Sequence, residues 1–226
     1  MCGRYTLHTS PEQLAMHFQV PPPVALAPRF NIAPAQPVPA VRQGVTGREL
    51  LMLRWGLVPA WAREEKTGYR MINARAETVA VKPAFRTAFQ QRRCLLPADG
   101  FYEWRPGPKG KQPYYITLQD GGLFAFAGLW EHWEGEDGHT VESCTLIVTT
   151  ANPLVRAIHD RMPVILDEQD YACWLDTRHF NAARLEALLK PYPAERMQAW
   201  PVSPRVNSPK YSDADCIAPL PQGHLL

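Results

Sequence analysis

The sequence predicts an α+β fold, a mostly antiparallel, barrel-like β-sheet core with helices at its periphery. Three observations predict it. Four runs, residues 49–55, 114–118, 123–130 and 143–149, are rich in β-branched and aromatic residues and are bounded by Gly, Pro or Asp, the signature of strands. The helical patterns among them are short and irregularly placed, so strand and helix do not alternate as a parallel α/β sheet requires. Finally, 226 residues that are 46% hydrophobic and 10% aromatic supply a substantial core for one domain spanning residues 1–226.

Taken in order, TSPEQLAMHF (9–18) reads as a helix with Ser10 as cap, Pro11 in the first turn, and Leu14 and Phe18 on one face. The stretch PPPVALAPRFNIAPAQPVPA holds too many prolines for a helix or a central strand and is expected to be a loop, ordered if Phe30 and Ile32 anchor it. MINARAET is read as extended, and ADGFYEW as a turn followed by a strand. Helices are expected over 83–91, 153–159, 168–175 and 181–189, with Asp167 capping the third. The tail after Pro201 is turn-rich, with Val202, Val206 and Ile217 available to pin it to the body.

Composition narrows the function classes. A formal charge of +2 does not by itself argue for nucleic acid, so a basic surface must come from local arrangement. No stretch approaches the ~18 apolar residues that cross a bilayer, and the N-terminus lacks a basic then apolar leader; a cytoplasmic, monomeric protein with no membrane partner is expected. The five cysteines are widely spaced, with no C-x-x-C, so neither a metal nor another cofactor is expected. Cys94, Cys144 and Cys173 sit among apolar residues and read as buried thiols.

Cys2 differs. Removal of Met1 would leave it as a 1,2-aminothiol, with an amine near ~8 and a thiol near ~8.5, both partly deprotonated at neutral pH. Such a residue condenses with an aldehyde to an imine that its thiol closes to a thiazolidine, and it can also attack acyl groups with its amine as base. In MINARAET, Asn73, Arg75 and Glu77 alternate and would share one face of an extended segment, either as a functional cluster or as an ordinary polar strand face. Glu103 lies between Tyr102 and Trp104; turned inward its pKa rises and it becomes a general acid, whereas turned outward it is merely solvated. His159, beside Asp160, is either a hydrogen-bonded structural residue or an acid–base group. Trp55 and Trp61, interleaved in sequence with arginines that include Arg75 and Arg86, suit stacking on exposed bases and pairing with phosphates, or else simply divide between core and surface.

In order and spacing, MCGR, FNIAP, RWGLVPAW, INARAET, ADGFYEW, KQPYYI, AGLW, IHDRMP and VNSP together resemble the SOS response-associated peptidase (SRAP) family of abasic site processing proteins. The resemblance runs from Cys2 to about Pro219. It implies that mature Cys2 forms a covalent thiazolidine link with the ring-opened aldehyde of an abasic site in single-stranded DNA. By the same resemblance Asn73 positions Cys2, Glu103 assists ring opening and proton transfers, His159 serves sugar opening and reversal, and Arg4 and Arg75 hold the DNA backbone. Some members carry a bulky aromatic directly after the VPxW tryptophan; Ala62 stands there in this chain, so a wedge role for that position does not transfer. The rival readings are an N-terminal-nucleophile hydrolase, an autopeptidase using Cys2, and a purely non-covalent single-strand binder.

Overall fold

The computed structural model describes residues 2–23, 25–108 and 110–221. Its centre is a closed ring of five strands. β3 (Pro37–Gln43) lies between β4 (Arg48–Trp55) and β6 (Arg93–Ala98). β6 pairs with β9 (Phe124–Glu134), which pairs with β10 (Thr140–Thr150), and β10 returns to β4. A ring with an odd number of strands cannot be antiparallel throughout. Here the closing pair, Ser143↔Arg54 and Cys144↔Trp55, is the parallel one. The mixed, mostly antiparallel barrel and the few short helices are the fold class that the strand patterns predict.

A second, wholly antiparallel sheet has the order β13 (Met197–Pro201), β8 (Gly110–Leu118), β7 (Gly100–Gly107), β1 (Tyr5–Leu7), β2 (Arg29–Ile32). Three short strands border the barrel: β5 (Asn73–Arg75) runs parallel to β10, while β11 (Arg161–Pro163) and β12 (Ile165–Leu166) pair with β10 and β9. The helices α1 (Pro11–Phe18), α2 (Arg86–Gln91), α3 (Pro153–Arg156), α4 (Tyr171–Leu175) and α5 (Ala182–Ala187) are one to two turns long. None is long and apolar enough to cross a membrane.

Several elements depart from the sequence reading. The proline-rich stretch expected as a loop contains β2 and β3, with Phe30 and Ile32 inside β2. β3 accepts Pro37 and Pro39 because β6 meets it only at Val41↔Leu95, which leaves the proline end with β4 as its one laddered neighbour, the edge setting in which proline is tolerated. Helix 83–91 begins only at Arg86, and 153–159 shortens to α3. Over 168–175, Glu168–Asp170 form a 3₁₀ turn ahead of α4. Asp167 does not cap it, since its carboxylate accepts from Arg196 Nη1 at 2.7 Å. Ser10 and Asn181 cap α1 and α5, accepting from Gln13 N and Arg184 N.

Candidate functional site

The chain ahead of β1 is aimed by that strand's register. Tyr5 and Thr6 pair with Phe101 and Gly100, and one step further out Tyr102 N donates to Arg4 O at 3.0 Å. Gly100 permits this close packing, because a Cβ there would lie 2.3 Å from the Tyr115 ring, whose hydroxyl in turn meets Thr6 Oγ1 at 3.0 Å. Extending the same antiparallel path brings Cys2 to the Glu103 end of β7.

Glu103 shares the inward face of β7 with Phe101, two residues away, and is only 2% exposed. Burial pushes its carboxyl up to about 7. The inward of the two orientations left open by the sequence is therefore the one adopted. Cys2 is fully buried, and burial followed by the nearby Glu103 charge holds its thiol far above the usual thiol range. The thiol rests 3.8 Å from Arg4 O.

β5 supplies the next group. Parallel pairing of Asn73 with Leu146 sets it beside the start of the chain, where its Nδ2 donates to the Cys2 carbonyl at 2.9 Å. Asn73 Oδ1 is buried with no hydrogen-bond partner among the described residues. Arg75 is exposed, two residues along the same strand. Glu77 does not converge with them: β5 ends at Arg75, the chain turns, and Glu77 instead pairs with Arg161 of β11.

His159 lies on the bend between α3 and β11. Asn152 caps α3 through Val155 N at 2.9 Å, and Ala151 N closes the excursion on Asp160 O at 3.0 Å. His159 Nδ1 lies 3.0 Å from the backbone nitrogen and 3.3 Å from the carbonyl oxygen of Arg161, so the Arg161 backbone holds the ring in either tautomer and leaves Nε2 as the other reactive nitrogen. Asp160 Oδ1 is 3.1 Å from Nδ1, but the carboxylate is largely exposed and burial of the imidazole dominates, lowering its pKa.

Of these groups Glu103 and His159 meet at an open pocket of about 350 Å³, lined also by Trp104, Lys111 and Asn207, while Cys2 and Asn73 do not line it. One acid held near neutrality, one neutral imidazole and a cysteine directly behind the acid form a site equipped to move protons around a carbonyl. Among the described residues no group of three or more His, Cys, Asp or Glu is placed to hold a metal ion.

The SOS response associated peptidase (SRAP) family model matches residues 1–209. The chain belongs to the SRAP family. This SRAP chain is 44% identical over 221 residues to the abasic site processing protein YoqW of Bacillus subtilis (strain 168), covering 96% of the chain and 99% of the relative. It is 30% identical over 270 residues to the abasic site processing protein HMCES of Mus musculus, covering 97% of the chain and 76% of the relative. Among solved structures, a protein from Bacteroides thetaiotaomicron superposes with a TM-score of 0.87 at 27% identity over 97% of this chain and all of that one. A protein from Bordetella bronchiseptica superposes at 0.77 with 29% identity, over 89% and 100%.

The remaining residues singled out in the SRAP sequence scatter. Trp55 is 1% exposed, meets Tyr5 edge-on at 5.3 Å and donates to Ile72 O at 2.9 Å, so no face is left for a base; the stacking expected of it is ruled out by core packing. Trp61 is 64% exposed while its neighbour Ala62 is buried against Val58, Trp133 and Val141. Arg86 is exposed at the start of α2 and does not line the pocket. Arg4 is half-buried, its Nη1 donating to Asn31 Oδ1 and Val206 O and its Nη2 to Asn207 O, so much of the guanidinium is committed to the tail. Sequence reasoning assigned no role to Lys111 or Asn207, although both lie in family motifs, KQPYYI and VNSP.

Proposed function

We propose that this SRAP protein processes abasic sites in single-stranded DNA by forming a covalent thiazolidine crosslink through Cys2 after Met1 is removed, shielding the lesion during the DNA damage response. The observation that carries the reading is the Asn73 amide holding the Cys2 carbonyl at 2.9 Å beside a near-neutral Glu103. The relatives named as abasic site processing proteins support the same substrate.

Once Met1 is gone, the backbone nitrogen of Cys2 is a primary amine, and the buried Asn73 Oδ1 is an acceptor that can orient it. An abasic deoxyribose is mostly a closed hemiacetal. Neutral His159 takes the anomeric hydroxyl proton while the protonated Glu103 carboxyl gives one to the ring oxygen, the aldehyde is released, and the proton on His159 passes back to Glu103. The Cys2 amine adds to the carbonyl carbon, and the carbinolamine hydroxyl leaves as water with a proton from Glu103, giving the iminium. The Cys2 sulfur then bonds to that carbon, and its proton passes to the Glu103 carboxylate as the C=N electron pair returns to nitrogen. The overall balance is aldehyde plus aminothiol going to thiazolidine plus one water.

The raised thiol pKa fits this order, because the amine is the first nucleophile and the thiol closes the ring only after the carbon has been activated. Arg75, the uncommitted edge of Arg4 and the exposed Trp61 are assigned to the DNA strand, the first two to phosphates and the third to a base face. Arg86 is assigned at most to more distant phosphates. The test is incubation with a single strand carrying one abasic site: a denaturation-resistant adduct that Cys2→Ala abolishes supports the reading, and an adduct that survives Cys2→Ala refutes it.

A further inference from the structure

The tail that follows β13 is built into the pocket wall. Asn31 is 2% exposed, and the two N–H groups of its amide are shared among three tail carbonyls, Val206 at 3.1 Å, Ser208 at 3.0 Å and Tyr211 at 2.6 Å. Its Oδ1 receives Arg4 Nη1 at 2.8 Å, and Arg4 itself donates to Val206 O and Asn207 O. The backbone at Asn207 is thus clamped from two sides, and this fixes where its side chain starts.

The side chain is fixed as well. Trp104 Nε1 lies 2.7 Å from the Asn207 amide, and an indole nitrogen only donates, so the amide atom it faces must be Oδ1. The amide cannot flip without losing that bond. That bond leaves its two N–H groups unused, on a residue that lines the pocket together with Glu103 and His159.

We propose that Asn207 is a substrate-binding residue whose oriented amide donates a hydrogen bond to a hydroxyl oxygen of the opened sugar, with Trp104, Asn31 and Arg4 acting as its positioning residues. A neutral donor suits a neutral hydroxyl, and its place beside the two proton-handling groups directs it to the sugar rather than to a flanking phosphate. The proposal rests on the abasic-site reading, and its test is chosen to be separable from that reading.

The probe is single-stranded DNA carrying one borohydride-reduced abasic site, which is open-chain, ends in a hydroxyl and cannot form an imine. Binding is followed by fluorescence anisotropy, beside the same strand with an ordinary base at that position. Asn207→Ala should weaken binding to the reduced-site strand about tenfold, the loss of one well-made hydrogen bond, and binding to the ordinary strand less than about twofold. Trp104→Phe, which frees the amide to flip, should weaken binding to the reduced-site strand in the native background and add nothing more once Asn207 is Ala. Equal affinity of Asn207→Ala and the unaltered protein for the reduced-site strand, or an equal loss on both strands, would overturn the proposal. Failure of the unaltered protein to crosslink an unreduced abasic site refutes the crosslinking reading instead, and does not affect this binding measurement.

Discussion

The side-chain amide of Asn73 donates to the backbone carbonyl of Cys2 across 2.9 Å, joining two residues 71 positions apart. The bond exists because β5 runs parallel to β10 while the register of β1 on β7 returns the chain start to the same place. Asn73→Asp keeps the shape but loses the donor and sets a carboxylate against a carbonyl. Crosslink formation should slow about tenfold or more in a protein that remains folded. Single-turnover gel assays beside thermal melts check this, and an unchanged rate would remove Asn73 from the positioning role.

Glu103 carries a stability signature as well as a chemical one. Folded, it keeps its proton up to about pH 7; unfolded, it releases it near ~4.3. The folded state therefore binds more protons between these values, and the stability linked to the protonated carboxyl is complete below the unfolded value and lost as pH rises through 7. Glu103→Gln escapes that loss. It should match the unaltered protein near pH ~4 and be more stable by on the order of 1–3 kcal/mol above pH ~8, while crosslinking slows roughly 100-fold. Urea unfolding at both pH values is the check; identical pH dependence in the two proteins would show that the carboxyl is not held near neutrality.

His159 should separate from Glu103 in kinetics. With Nδ1 held by the Arg161 backbone and burial favouring the neutral ring, its work is to accept and return a proton at the sugar oxygens. His159→Ala should slow both adduct formation and transfer of an existing adduct to a fresh strand. If both rates match those of the unaltered protein in a variant shown to be folded, the residue is structural.

The two tryptophans should respond oppositely. Trp55→Ala empties a core site and should cost about 3–5 kcal/mol of stability. Trp61→Ala should leave stability nearly unchanged and weaken binding to undamaged single strands on the order of tenfold, by loss of one stacked base. Binding by the unaltered protein should fall steeply with salt, since phosphate contacts release counterions. Reaction at an abasic site inside a duplex should be much slower than in a single strand. Salt-independent binding, or equal rates on duplex and single strand, would contradict this division of labour.

Much of this was legible in the residues. The four strand runs became three barrel strands, β4, β9 and β10, and β8 of the second sheet, and the alternation around Glu103 left one binary question, inward or outward, that only the packing could answer. The barrel's parallel closure was not legible, because nothing local in Ser143 or Cys144 names Arg54 and Trp55 as partners. Nor were β2 and β3, where proline chemistry argues for a loop and only the unladdered side of β3 makes Pro37 and Pro39 acceptable. Trp55 and Trp61 read alike in sequence, and burial alone separates them. Asn207 was invisible as a site residue, since its side chain matters only through Trp104, 103 positions away.

The central claim is that the Cys2 amine and thiol both bond to one aldehyde carbon. Intact-mass spectrometry of the Met1-processed protein, incubated with a single strand carrying one abasic site, tests it most directly. The account predicts a species equal to the two masses less one water, formed without reductant, stable to denaturation, and with a Cys2 thiol that no longer alkylates. A species whose Cys2 thiol still alkylates, or one that forms equally with Cys2→Ala, would contradict it.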